Sequence, residues 1–498
     1  MTVEEAKRTL SALLHKQQAY SHAMSMLYYD GVTAAPKGSA GVRGESTAVL
    51  SEAAYELATG SEMRDTVEFL HAHLGELDEV NARVVTLLHK DIEELSRIPQ
   101  DEYVAYQKLT SDAEAVWHEA KEKDDYALFE PYLARLVESS RKLAGYTRPD
   151  LHPLDYWLDA HEEGLDRARC DAFFAALRAR IVPLLQKVCK AWPVDESFMT
   201  AEVPVETQRA FSDLLMDTLR LDRNHCGIGE TEHPFTINFT KQDVRITTHY
   251  FPDNFASSMY SVIHEGGHAL YELHTGDELM YTPLGEGCST ALHESQSRFY
   301  ENLIGRSRAF VSFLAPSIRR LSPAFSDLSD EALYRAFNAS KPSLIRTEAD
   351  ELTYSLHIMI RYELEKQLFD GTLSTRELPE AWNRMYKEYL GIDVPTDREG
   401  VLQDSHWSGG MFGYFPSYAL GSAYGAQLLG VMKRDVDVDA CAAAGNLAPV
   451  NDWLCERIWK YGRLRKPSEL LESALGCPFD PNCYAEYLES KFTELYNL

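Results

Sequence analysis

The 498-residue chain carries 49 basic and 77 acidic residues, a formal charge of -28, and so negative a surface argues against nucleic acid or an anionic membrane as partner. Nowhere do about 18 uninterrupted apolar residues occur, and no linker, repeat or low-complexity tract divides the chain. One helical domain spanning 1-498 is expected in place of the two or three that length alone suggests. Eight scattered cysteines, Cys170 to Cys483, form neither CxxC pairs nor a disulfide framework. Cys477 and Cys483 could pair, but reduced thiols in a soluble cytoplasmic protein are the expectation.

Residues 1-230 read as successive amphipathic helices near 3-30, 42-58, 62-74, 77-96, 101-123, 126-144, 167-190 and 205-221. Breaks fall at Pro36 to Gly44, at Pro99 and across the proline-bearing stretch Gly145 to Leu165. This half carries no chemical constellation and is expected to form one wall and a lid, with residues 231-430 as the catalytic region and 431-498 as C-terminal helices. Near His233 the texture changes: His233 to Thr240 and Val244 to Tyr250 alternate and are β-rich, which predicts a hairpin joined at Lys241-Gln242-Asp243. An edge strand placed just before a metal helix suits an extended peptide laid main chain to main chain.

Ser257 to Leu273 then reads as a helix with apolar Met259, Val262, Ile263, Ala269 and Leu270, stopped by Gly276, and it carries His264-Glu-Gly-Gly-His268. Histidines four apart lie about 6 Å above one another on one face, so both imidazoles can reach one ion. Glu265 stands beside that ion, placed to take a proton from metal-activated water as general base. A catalytic zinc needs a third protein ligand and one open position.

Glu272 is roughly 12 Å of helix rise from His264, too far for the same ion. His274 would complete HExxHxxGxxH, but the turn glycine of that pattern is replaced by Tyr271, so the helix has no easy way to bend His274 back. Glu286, in a Gly-rich loop, is a weaker rival. Glu294, in His293-Glu294-Ser-Gln296 on a helix from Cys288 to Ile304, is the expected third ligand beside His264 and His268. One divalent metal per chain follows, zinc by ligand type, with cobalt or manganese able to occupy the same set.

Helical segments near 307-321 and 329-338 follow, and Ile345-Arg-Thr-Glu-Ala-Asp350 leads into a long helix to about Phe369. Arg346 offers a fixed fork that suits a peptide's terminal carboxylate, or equally an ion pair with Asp350 at i+4. Gly400 to Trp407 precedes a glycine- and tyrosine-rich loop to Tyr418, a good site wall, in which His406 could stabilise an oxyanion or bind substrate main chain and a tyrosine hydroxyl could donate to the tetrahedral intermediate. From Ala419 to Leu498 the chain returns to helices.

Asp243-Val-Arg-Ile-Thr247, His264 to His268, His293 to Gln296, Ile345 to Asp350 and Gly400 to Trp407 stand in the order found in the carboxypeptidase Taq family of metallocarboxypeptidases, which the chain resembles over its full length. The resemblance implies a mainly α, neurolysin-like fold with a deep groove and a small hairpin or sheet beside the metal site. It also implies a homodimer that releases single C-terminal residues from peptides, with broad specificity and poor action on proline. His264, His268 and Glu294 would be the ligands and Glu265 the base. By similarity to the more distant angiotensin-converting-type peptidases, His233 and His406 would contact the substrate backbone, Tyr418 would face the oxyanion, and Arg346 or Tyr414 the terminal carboxylate. An oligopeptidase or dipeptidyl carboxypeptidase on the same scaffold is the alternative, and a non-catalytic metal-binding interaction protein a more remote one.

Overall fold

All eight helices expected before residue 230 form, with ends set by ordinary capping chemistry. In the computed structural model, which describes residues 1-498, they and one further helix make up α1 (Val3–Thr33), α2 (Ala40–Thr59), α3 (Ser61–His71), α4 (Glu79–Arg97), α5 (Gln100–Lys123), α6 (Tyr126–Thr147), α7 (Pro153–His161), α8 (Arg167–Val188) and α9 (Val205–Leu219). Thr2 and Glu5 close a capping box on α1, and Asp78 and Asp166 accept first-turn N–H groups of α4 and α8. The ninth helix, α7, lies inside the stretch read as a break. It starts at Pro153 in its first turn, after His152 as N-cap, and buries Leu154 and Leu158.

Three strands follow: β1 (Cys226–Glu230), β2 (Thr236–Thr240) and β3 (Asp243–Thr248), in the order β1-β3-β2. The expected hairpin is the antiparallel β2–β3 pair, with Ile237 opposite Arg245 and an irregularity between Asn238 and Thr240. β1 was not anticipated; it pairs parallel to β3, Cys226 opposite Val244. The sheet lies against α10 (Phe255–Leu273), the helix carrying both histidines, and β1 and β2 are its two edge strands.

The rest is again helical: α11 (Thr290–Arg298), continued by a π-helical turn over Phe299–Gly305, then α12 (Arg308–Ile318), α13 (Asp330–Phe337), α14 (Glu351–Asp370), α15 (Leu378–Tyr389), α16 (Pro416–Met432), α17 (Val438–Ala443), α18 (Ala448–Arg457), α19 (Pro467–Leu475) and α20 (Asn482–Tyr496). One large core runs through the body, and α10 is buried nearly all round within it, with Met259, Val262, Ile263, Ala269 and Leu270 at or near zero exposure. A second, small core joins Leu10 and Leu14 of α1, Val67 and Leu70 of α3 and Val84 and Val85 of α4 to Leu279 and Leu284. The first four helices thus pack largely on one another. All eight cysteines are free thiols, and no helix is long and apolar enough to cross a membrane.

Candidate metal centre

The ligand geometry begins with the close crossing of α10 and α11. A Cβ added at Gly267, inside the HExxH stretch, would lie 2.6 Å from the Gln296 carbonyl oxygen, so only glycine lets the two helices approach this far. The crossing brings Glu294 Oε2 to 3.4 Å from His268 Nε2 and 3.8 Å from His264 Nε2. Ligand atoms of His264, His268 and Glu294 all lie within 4.8 Å of one another, and two imidazoles plus one carboxylate on a cavity wall are the donor chemistry of an open, catalytic divalent site. The residues present fit the metal that the sequence predicts.

The rival ligands are engaged elsewhere. His274 caps the unbent end of α10, its Nδ1 2.7 Å from the Leu270 carbonyl and its ring tilted on Trp459. Glu286 pairs with Arg463 at 2.6 Å. Glu272 faces His293 Nε2.

Supporting charges surround the trio. Arg298 donates to Glu294 at 2.7 Å and to Glu301 at 3.1 Å, and Glu301 accepts from His264 Nδ1 at 2.8 Å. Glu301 sits in the π-helical turn, a local insertion that often marks functional sites. Burial pushes the Glu294 carboxyl upward, but Arg298 and the two histidines outweigh it and hold the group well below the usual range. Glu301 is held down in the same way by Arg298 and His264. Glu265 behaves oppositely: burial raises its carboxyl, against the pull of His264 and of Thr236. Thr236 of β2 donates to Glu265 Oε2 at 2.6 Å, which ties the edge strand to the carboxylate expected to act as base.

A cavity of about 1150 Å³ runs past the trio. Glu265, Arg346, Tyr414 and Tyr418 join the three candidate ligands on its wall, together with Pro234, Phe235 and Thr236. His233 is solvent-exposed and is not part of that wall, although the next residue, Pro234, is. His406 also stands off the wall, behind Tyr418, with Nε2 3.2 Å from the tyrosine hydroxyl. Burial pushes its pKa down to about 3, so the ring is neutral near pH 7.

Arg346 does form an ion pair, but not with Asp350. Its partner is Asp404, with Nη2–Oδ1 at 2.8 Å and Nε–Oδ1 at 2.9 Å, and the fully buried Arg361 holds the other carboxylate oxygen at 2.6 Å. Asp350 instead caps α14 through the Leu352 and Thr353 N–H groups. Arg346 Nη1 reaches the Tyr354 hydroxyl at 3.2 Å, and its guanidinium lies over the Tyr418 ring. Sequence reasoning gave no role to Thr236, Arg298, Glu301 or Asp404. Arg298 and Glu301 carried a readable sign, four and seven residues after Glu294 on the face already assigned to the metal.

Comparison with known proteins identifies the family. The family model described as Carboxypeptidase Taq (M32) metallopeptidase matches residues 9-492. The chain is 40% identical to Carboxypeptidase 1 of Bacillus subtilis over 100% of both chains. It is 34% identical to Thermostable carboxypeptidase 1 of Pyrococcus furiosus over 97% of this chain and 98% of that one. The M32 carboxypeptidase from Deinococcus radiodurans superposes with a TM-score of 0.96 at 32% identity, covering 99% of this chain and 100% of that chain. Trypanosoma cruzi metallocarboxypeptidase 1 does so at 0.93 and 33%, over 100% of both. With a family model and relatives that match over nearly its whole length, the chain belongs to the carboxypeptidase Taq (M32) metallopeptidase family and is a metal-dependent carboxypeptidase.

Proposed function

We propose that this carboxypeptidase removes single C-terminal residues, with broad side-chain tolerance and poor action on proline, and that His264, His268 and Glu294 hold its metal, zinc by preference. The observation that carries the mechanism is the convergence of those three donors beside a buried, unpaired carboxylate, Glu265, on one cavity wall. When bound, a divalent ion supplies Lewis-acid polarisation of a carbonyl and acidifies water.

The chain's own residues do the rest. Glu265 takes the proton of the attacking water and passes it to the leaving amine, and its burial-raised carboxyl suits a group that must both accept and release a proton. Thr236 fixes the carboxylate's rotamer. The outer edge of β2 supports an extended substrate: Phe235 turns its carbonyl to Thr247 N–H, so by alternation Thr236 and Asn238 present their main-chain groups outward. The Tyr418 hydroxyl donates to the developing oxyanion, with His406 acting on that hydroxyl and not on substrate. Arg346, pre-aimed by Asp404, binds the terminal carboxylate, with Tyr414 beside it.

The broader organisation follows the same reading. Residues 231-430 form the catalytic region, 1-230 a wall and lid with its own small core, and 431-498 the C-terminal helices. The family resemblance supports a homodimer, and the free cysteines suit the reducing cytoplasm.

Mass spectrometry of one unblocked peptide and its C-terminal amide, each with metal-replete and chelator-treated protein, tests the reading. A ladder of single-residue losses from the free acid alone, abolished by chelation, is expected. Internal or dipeptide cuts, or equal cleavage of the amide, would move the activity to an oligopeptidase or dipeptidyl carboxypeptidase.

A further inference from the structure

The two histidines are supported unequally. His264 Nδ1 meets a carboxylate directly, that of Glu301, as a metal-ligating imidazole commonly does. His268 Nδ1 meets no carboxylate. It faces Nδ1 of a second imidazole, His293, whose Nε2 lies 2.5 Å from Glu272 Oε1.

The polarity of this chain can be worked out from its far end. Glu272 Oε1 already accepts the fixed Gly287 N–H at 3.1 Å, and the Asn238 side chain donates to Oε2. Glu272 therefore presents an acceptor to His293, so the proton of that bond sits on His293 Nε2. A His268 that ligates through Nε2 carries its proton at Nδ1, and His293, with its own proton on Nε2, meets it with a lone pair at Nδ1. The His268–His293 bond needs one proton, and it can come only from His268 Nδ1. His268 is left with its lone pair at Nε2, the atom 3.4 Å from Glu294.

The surroundings of His293 are built for this ring. A Cβ at Gly287 would fall 2.3 Å from His293 Cδ2, so the glycine makes the room the imidazole occupies. Tyr271, whose hydroxyl accepts from Cys288 N–H at 3.0 Å, packs its ring at 5.5 Å from the imidazole. Asn238 lies on β2, so the edge strand tethers this relay as Thr236 tethers Glu265.

We propose that His293 is a positioning residue, the middle of a one-way hydrogen-bond relay His268→His293→Glu272 that locks the His268 tautomer and ring angle for metal binding. The proposal rests on His264, His268 and Glu294 being the ligands. Asparagine at 293 would put a carbonyl oxygen where Nδ1 sits and keep the acceptor, whereas Gln and Leu would not. Gly287→Ala would displace the ring without altering any ligand.

The test is the affinity for Co²⁺, measured by chelator competition together with the visible spectrum of the bound ion, on wild type and on H293N, H293Q, H293L, G287A and E294A. Melting of the metal-free forms is measured in parallel. Wild type should bind one ion and E294A should lose it. H293Q, H293L and G287A should bind about 10- to 100-fold more weakly with an altered spectrum, while H293N stays close to wild type. If E294A binds like wild type, the ligand assignment falls and the relay with it. If E294A loses the ion but H293Q and H293N are equal, the relay is overturned while the ligand set stands. Should H293L and G287A melt early without metal, the Asn-against-Gln comparison alone decides.

Discussion

Glu162 gives a pH test of how the body of the protein holds the helix that carries Glu294. It follows α7, is only 4% exposed, and its Oε2 accepts the Ala291 N–H at 3.2 Å in the first turn of α11. Tyr424 reaches the other oxygen at 3.4 Å. Burial raises its pKa from an ordinary 4.5 to about 7, against the hydrogen bonds from Ser289, Ala291 and Tyr424. A folded pKa above the unfolded one means the native state binds the extra proton. The associated stability is therefore complete below about pH 4.5 and is lost as pH rises through about 7.

The span of that shift corresponds to about 3 kcal/mol at about pH 8, an upper figure because the α11 N-terminus favours the charged form. Glu162→Gln keeps the shape and has no proton to lose. Denaturant unfolding of the metal-free proteins across about pH 5 to about pH 8 should show the variant gaining on wild type by roughly 2 to 3 kcal/mol as pH rises. A variant-minus-wild-type difference that stays flat over this range, or that moves the other way, would refute the reasoning.

Further expectations come from the charged clusters. Asp404→Ala leaves Arg346 and the fully buried Arg361 without their shared counter-ion, and breaking such a buried set costs about 3 to 5 kcal/mol; denaturant unfolding should show the loss, and a change under about 1 kcal/mol would mean the cluster is solvated. Burial tends to raise the Asp404 carboxyl, but Arg361 and Arg346 hold it well below its usual range. The stability it contributes is then present above the unfolded pKa of about 4 and fades as pH falls below it, a slope that Asp404→Asn should remove. Glu294→Ala should abolish stoichiometric metal by elemental analysis, since Glu272, His274 and Glu286 are engaged elsewhere; retention of a full equivalent would point to another third ligand.

Much of the candidate metal trio was legible because it is encoded locally. Histidines four apart on an apolar-faced helix can be read from periodicity, and Glu294 stood out within a second such helix. Glu301 belonged to the same helix, but its role depends on a π-helical turn that periodicity does not reveal. What pairs over long sequence distance was not legible. Arg346 had an apparent partner four residues on, in Asp350, yet that carboxylate is used as a helix cap, and the real partner comes 58 residues later.

Other misses have local reasons. β1 holds two glycines in Cys226-Gly-Ile-Gly-Glu230 and exists through parallel pairing with β3, so its own residues announce little. α15 was readable in principle: a Ser374–Glu377 capping box, Pro379 in the first turn, and buried Leu378, Ala381, Trp382, Tyr386 and Tyr389 at helical spacing. His293 stood in a motif already noted, but its part in the relay needs the fold of Glu272 and Gly287 around it.

Glu265 is assigned the proton transfer in a reaction whose metal is held by other residues. Glu265→Gln, assayed for metal content and for release of a C-terminal residue from one peptide, tests it most directly. The variant should hold a full equivalent of metal with kcat lower by about 10²- to 10⁴-fold. A variant that keeps its metal and turns over near the wild-type rate would contradict it.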